Sequence, residues 1–171
     1  MLSNVLSISY LVLVLVLKPN RMSIAIIKYN AGNIQSVSFA LERLGIEFLI
    51  TDDVEAIKAA DKVIFPGVGE ASTTMQYLQE RKLDRVIRDL KQPVMGICLG
   101  MQLMCKHSEE NDTECLGIFD ESVKRFIPEG DMKVPHMGWN QLHLRHSWLD
   151  EKLENQIAYF VHSYYVPVNQ Y

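Results

Sequence analysis

The segment Pro93-Val94-Met95-Gly96-Ile97-Cys98-Leu99-Gly100-Met101-Gln102 has the residue types and the spacing for covalent chemistry. Val94, Met95 and Ile97 form a short apolar run, Gly96 and Gly100 bracket a cysteine as Gly-x-Cys-x-Gly, and a helical apolar pattern follows at once. That order reads as strand, sharp turn and helix. With serine in place of the cysteine it has the form of a nucleophile elbow, in which flanking glycines relieve crowding and leave the nucleophile exposed. A cysteine there meets the partial positive charge of a helix N-terminus, which favours the reactive thiolate.

Acyl transfer also needs two N–H donors aimed at the developing oxyanion, and the backbone N–H of Leu99, next after the cysteine, is the natural first one. Pro66-Gly67-Val68-Gly69 supplies the candidate for the second, because it follows the apolar run Lys62-Val63-Ile64-Phe65 and so falls at the carboxyl end of an adjacent strand. Its glycines let a peptide plane reorient. Taken alone, Cys98 reads as a small buried apolar residue and the glycine loops as ordinary turns. The constellation reads as a site.

These residues carry a resemblance. Gly96-Ile97-Cys98-Leu99-Gly100-Met101-Gln102 resembles the nucleophile motif of class I, triad-type glutamine amidotransferases, and Pro66-Gly67-Val68-Gly69 resembles their oxyanion strand. Val134-Pro135-His136-Met137-Gly138-Trp139-Asn140 and Tyr159-Phe160-Val161-His162-Ser163-Tyr164-Tyr165 narrow the match to the glutaminase subunits of imidazole glycerol phosphate synthases, in histidine biosynthesis. The resemblance runs from about Met22 to the last residue.

Composition agrees with one globular domain. A chain of 171 residues can bury a substantial core, and 48% hydrophobic residues, 22% charged and a net charge of -4 give no disorder and no basic cluster to grip nucleic acid. Cys98, Cys105 and Cys115 form no C-x-x-C pair; their odd number reads as reduced thiols, and the five histidines are not spaced with them as metal ligands.

The run Ile8 to Leu17 is too short to span a bilayer comfortably, and Met1 to Ser7 carries no Lys or Arg for a signal peptide. Residues 1–21 are therefore expected to be an apolar extension outside the domain, and residues 22–171 the amidotransferase domain. Ser23 to Ile27 reads as a buried strand, Asn33 as the cap of a helix whose face is Ile34, Val37, Ala40, Leu41 and Leu44, and Ile46 to Ile50 as the next strand. Asp52 or Asp53 caps a short helix, Val63 to Phe65 is a third strand, and Glu70 to Lys91 is mostly helical with Met75, Leu78, Leu83, Val86, Ile87 and Leu90 inside. Strand and helix alternate as a parallel sheet with right-handed crossovers requires, and both glycine loops lie at carboxyl strand ends, where such sheets build their sites.

Beyond a helix from Leu99 to about Lys106, residues His107 to Glu114 read as an exposed polar loop whose acidic side chains are solvated surface. Leu116 to Phe119 and Val123 to Phe126 read as short strands of a more antiparallel kind, and Ile157 to Val161 as a further strand. The expected fold is a flavodoxin-like α/β domain, a mostly parallel central sheet flanked by helices, with its C-terminal strands incomplete.

The resemblance implies roles by residue. Cys98 would attack the side-chain amide of glutamine, the N–H groups of Leu99 and of the Gly67-Val68 loop would hold the oxyanion, and Gln102 and Gly69 would help hold the substrate. Met137, Trp139 and Asn140 would lie near the face that docks on a TIM-barrel cyclase subunit, which uses the ammonia to make imidazole glycerol phosphate. No metal or organic cofactor, no nucleic acid and no membrane is implied, and the compartment is the cytoplasm. The chain departs from the family pattern at one point: the catalytic base and its orienting carboxylate belong to a His-Pro-Glu motif, and no histidine here is followed by Pro and then Glu. His162 reads as a structural member of Phe-Val-His-Ser-Tyr. The expectation is a truncated, impaired version of the enzyme, with a noncatalytic partner-binding remnant or a glutaminase of another pathway as alternatives.

Overall fold

The computed structural model describes residues 23–30, 33–128, 130, 133–144 and 149–168. The apolar run Ile8 to Leu17 lies outside these residues. The described chain divides into two compact units, one within 126–163 and one made of 23–125 with 164–168.

In the larger unit four strands, β1 (Ile24–Ile27), β2 (Phe48–Thr51), β3 (Lys62–Phe65) and β4 (Val94–Gly96), form an all-parallel sheet in the order β2-β1-β3-β4. β1 has no polar residue on either face and is buried throughout, as suits an interior strand covered on both sides. The crossovers contain α1 (Ile34–Arg43), α2 (Val54–Ala59), α3 (Ala71–Glu80) and α4 (Leu83–Asp89). Asp53 caps α2 as expected, accepting from the Ala56 N–H at 2.7 Å. Asn33 does not cap α1 with its side chain; it sits at φ 73° and its main-chain carbonyl accepts from Ser36 at 3.1 Å.

The region from Glu70 to Lys91 is mostly helical, as expected, and is divided into two helices. Lys82 at φ 59° turns the chain between α3 and α4, so that Met75 and Leu78 from one and Leu83 and Ile87 from the other enter the same core with Phe65, Ile57, Leu99 and Leu103.

After β4 comes α5 (Leu99–Met104), which ends two residues before the predicted point. The N–H groups of Leu116 and Ile118 take the carbonyls of Leu103 and Met104 at 2.9 Å each, so the last turn has no acceptors with which to continue. The chain instead forms β5 (Cys105–Ser108), which pairs antiparallel with β6 (Thr113–Glu114) and parallel with β7 (Phe119–Arg125); β10 (Tyr164–Tyr165) closes this sheet on the other side of β7. Residues 107–114 are thus not one exposed loop. Ser108 and Thr113 are buried, and their hydroxyls are satisfied by the main chain of Glu110. Of the two short strands expected at Leu116 to Phe119 and Val123 to Phe126, the first does not form, Leu116 being a core residue, and the second, except for Phe126, falls within β7, where Lys124 and Arg125 pair antiparallel with β10 as expected.

The smaller unit is built on an antiparallel pair, β8 (His136–Gln141) and β9 (Ile157–His162), in register from His136 opposite His162 to Gln141 opposite Ile157.

Candidate active site

Cys98 occupies the turn between β4 and α5 at φ 52°, ψ -117°, a backbone conformation that L residues rarely adopt, and it is exposed to solvent. Both neighbouring glycines are required by space. A Cβ on Gly96 would lie 2.6 Å from Met101 Cα, and one on Gly100 would overlap the carbonyl oxygen of Phe65. The turn is braced from outside, since Ile97 N–H donates to the Phe65 carbonyl at 3.0 Å, and from inside, since Gln102 N–H donates to the Cys98 carbonyl at 3.0 Å. This is the geometry that Gly-x-Cys-x-Gly encodes: a cysteine pushed outward at a strained strand-to-helix turn.

The Pro66–Gly69 loop lies directly against this turn, with the Gly67 carbonyl accepting from the Leu99 N–H at 3.2 Å. The donor expected to face an oxyanion is therefore occupied by the loop. In a trans peptide the carbonyl and the following N–H point in opposite directions, so the Val68 N–H is aimed away from Leu99 in this state. The two amide hydrogens do not converge until the Gly67–Val68 peptide turns over. Val68 is 40% exposed and Gly69 has φ 138°, so little packing opposes such a turn.

Tyr29, at the end of β1, is a contributor that sequence reasoning missed. Its hydroxyl donates to the Pro66 carbonyl, its ring packs against Phe65 at 5.4 Å, and it is 5% exposed. Burial first, and the neighbouring Cys98 second, push its phenol well above the usual range.

Glu110 is the second missed residue, placed by the sequence among solvated acids. It is half-buried, and one carboxylate oxygen accepts from the Ala71 N–H at 2.8 Å, at the start of α3 and just beyond the glycine loop. Burial raises its pKa against the opposing effect of the Ala71 bond, and the Glu70 carboxylate raises it further. The only sequence signal was position, two residues after the buried Ser108 in a hairpin that looked like a loop.

The Cys98 thiol is also pushed up, mainly because protein replaces much of the water around the sulfur although the residue reaches solvent; the Leu99 N–H opposes this and Glu110 adds to it. The helix N-terminus, expected to favour the thiolate, is opposed here by burial and by the Glu110 carboxylate. α5 has six residues, and its pull is outweighed by burial and by the carboxylate.

Gln102 is buried, and its side-chain Nε2 donates to the Tyr164 carbonyl at 3.1 Å, which ties α5 to β10. Among the described residues no group of three or more His, Cys, Asp or Glu could hold a metal ion, and no helix is long and apolar enough to cross a membrane.

In the smaller unit, strand alternation puts Met137, Trp139 and Gln141 on the same face as Val161, Tyr159 and Ile157. Met137, Trp139, Ile157 and Val161 are 60%, 56%, 63% and 53% exposed, and Trp139 meets Tyr159 edge to face at 5.2 Å. Asn140, expected beside Met137 and Trp139, is on the other face: its side chain is 2.7 Å from His136 Nε2, within a cluster that includes Phe126 and His162.

A parallel α/β sheet with an exposed, strained cysteine at a carboxyl strand end and a glycine loop against it defines a class of acyl-transfer domains. A family model described as glutamine amidotransferase class-I matches residues 25–170, and the chain belongs to that family. Its relatives are more particular. It is 60% identical over 152 residues to imidazole glycerol phosphate synthase subunit HisH of Bacteroides fragilis, covering 88% of this chain and 78% of that one. It is 60% identical over 149 residues to the HisH subunit of Bacteroides thetaiotaomicron, covering 86% and 76%, and 47% identical over 150 residues to that of Idiomarina loihiensis, covering 88% and 76%. Among solved structures, a crystal structure of a glutamine amidotransferase superposes with TM-score 0.62 at 20% identity, over 81% of this chain and 70% of that one, which speaks to the fold alone.

Proposed function

We propose that this chain is the glutaminase subunit of an imidazole glycerol phosphate synthase, working in histidine biosynthesis in the cytoplasm. The observation that carries the reading is Cys98, exposed at a strained turn with the Gly67 loop bonded to the amide of the next residue. Relatives at 60% identity that carry the synthase subunit name support the pathway.

The Cys98 thiolate attacks the side-chain carbonyl carbon of glutamine, and the carbonyl electrons move onto oxygen. The Leu99 N–H, released from Gly67, and the Val68 N–H, turned inward, hold that oxygen. Collapse of the intermediate expels ammonia once its nitrogen is protonated, leaving a glutamyl thioester. Water then breaks the thioester, giving glutamate and free Cys98. Glu110, half-buried at the start of α3, suits the α-ammonium of the substrate, while Gln102, whose side chain is taken up by the Tyr164 carbonyl, braces α5 and Gly69 gives the loop its freedom to turn. The His-Pro-Glu sequence does not occur in these 171 residues, so the assignment gives this chain the nucleophile, the oxyanion loop and the docking face.

The exposed face of Met137, Trp139, Ile157 and Val161 supports docking on a cyclase subunit that receives the ammonia, since aromatic and Met side chains anchor such interfaces. The test is ammonia release from glutamine, alone and with the cyclase subunit, in wild type and Cys98→Ala. Stimulation by the cyclase that disappears in Cys98→Ala is the expected result. Equal glutamate production by both proteins would overturn the reading in favour of a noncatalytic binding subunit.

A further inference from the structure

Three successive carbonyls lead from β3 into the glycine loop, and each accepts a hydrogen bond. Phe65 accepts from the Ile97 N–H at 3.0 Å, Pro66 from the Tyr29 hydroxyl, and Gly67 from the Leu99 N–H at 3.2 Å. The outer two donors are main-chain groups on either side of Cys98. The middle one is a side chain from the segment just after β1, buried and packed at a tilt against Phe65. Gly67 has no side chain for a matching reason. A Cβ there would collide with the Tyr29 hydroxyl and would lie 3.0 Å from Gly100 N and 3.2 Å from Leu99 Cβ.

We infer that Tyr29 is a positioning residue for the oxyanion loop, holding the Pro66 carbonyl so that the turn that brings an amide hydrogen toward the substrate is confined to the Gly67–Val68 peptide. The inference rests on the glutaminase reading for its catalytic consequence. The proline ring fixes φ of residue 66, and the Tyr29 bond fixes its carbonyl and hence ψ. Gly67 N and Cα are then set, and the freedom left is the rotation of the next peptide plane. When Gly67 lets go of Leu99, the loop still has two of its three anchors. Without the hydroxyl it has only Phe65, and the Pro66–Gly67 and Gly67–Val68 peptides can turn together. The Val68 N–H would then sample a range of directions, and misplacement by about 1 Å can cost up to a hundredfold in rate.

The test uses Tyr29→Phe, which removes one oxygen and keeps the ring. By hydrogen exchange, the Leu99 amide of the variant should exchange at least about fivefold faster than wild type, with the amides of β1 unchanged. With the cyclase subunit bound, Cys98 should react about tenfold more slowly at saturation with the chloroketone analogue of glutamine, whose carbonyl oxygen takes the place of the amide oxygen. Its half-saturation should stay within twofold, and alkylation by iodoacetamide, which needs no oxyanion site, should be unchanged. Should Tyr29→Phe not fold, fluorotyrosine at position 29 keeps ring and hydroxyl and alters the strength of the donor, and exchange at Leu99 should move with it. Unchanged Leu99 exchange, or iodoacetamide and chloroketone rates falling together, overturns the inference. Faster exchange in a protein whose wild type is not saturated by the chloroketone leaves the anchor standing and removes the glutaminase reading instead.

Discussion

The Leu99 amide donates to the Gly67 carbonyl at 3.2 Å, so the Cys98 turn and the glycine loop are joined main chain to main chain with no side chain between them. That closeness depends on Gly100, whose missing Cβ leaves room for the Phe65 carbonyl.

Gly100→Ala should therefore separate the two elements. The methyl has nowhere to go except into the end of β3, and overpacking of this kind costs roughly 1–3 kcal/mol. The expected outcome is a folded protein with a lower unfolding midpoint and glutamine hydrolysis reduced at least about a hundredfold, the scale for loss of one oxyanion donor. Thermal unfolding and ammonia release, measured with the cyclase subunit present, check both parts. Wild-type turnover in the variant would mean that loop and turn need not touch.

The ionisation of Cys98 gives a second prediction. Burial and Glu110 disfavour the charged thiolate and the Leu99 N–H favours it, with a net upward shift from the ordinary 9.0. At neutral pH the thiolate fraction is then smaller than for a free cysteine, and the alkylation rate should climb with a midpoint above 9.0. Glu110→Gln removes a negative charge from beside the sulfur and should lower that midpoint. Iodoacetamide rates across pH measure this directly; a midpoint below the ordinary value would show that the helix end prevails after all.

The residues that make this turn were legible in the sequence because each acts locally. Gly96, Cys98 and Gly100 are set by neighbours within a few positions, and β1 and β3 announce themselves as uninterrupted apolar runs. What escaped was long-range. Tyr29 reaches Pro66 across 37 positions, Glu110 reaches Ala71 across 39, and neither pairing leaves a periodic trace. The early end of α5 has the same origin, because Leu116 and Ile118 capture its last carbonyls from beyond a hairpin that composition disguised as a loop. The break at Lys82 had no proline or glycine to mark it; a lysine with φ 59° is a conformation that sequence pattern does not reveal.

Glu70 controls acid stability at the start of α3. Its carboxylate accepts from the Ser72 hydroxyl at 2.6 Å and from the Ser72 and Thr73 N–H groups at 2.8 and 2.9 Å, and these bonds, the Ser72 hydroxyl first among them, bring its pKa down to about 2; the Asn111 side chain donates to it as well, at 2.7 Å. A carboxyl depressed on folding contributes stability that is present above its unfolded pKa of 4.5 and is lost as pH falls toward 2. Glu110, shifted upward, works in the opposite sense and is relieved by acid. Glu70→Ala should cost about 1 kcal/mol at pH 7, the usual worth of a helix N-cap. The gap between variant and wild type should close between pH 4.5 and 2. Urea unfolding at several pH values tests this, and a gap independent of pH would assign the effect to packing.

The proposed docking face can be tested apart from the strand beneath it by the two sides of β8. Met137 and Trp139 present exposed apolar area, Met137 opposite Val161 and Trp139 against Tyr159, whereas Asn140 points to the opposite side and holds His136. Trp139→Ala and Met137→Asp should weaken binding of the cyclase subunit by about 2–4 kcal/mol, roughly thirty- to a thousandfold, because central aromatic and Met anchors carry most of an interface's energy. Their unfolding midpoints should stay near wild type. Asn140→Ala should do the reverse, lowering stability by about 1 kcal/mol for one lost hydrogen bond and leaving affinity within twofold. Calorimetric titration with the cyclase subunit, paired with thermal unfolding, distinguishes them. If Asn140→Ala loses affinity as Trp139→Ala does, the partner touches the His136 side of the strand, and the exposed face has some other purpose.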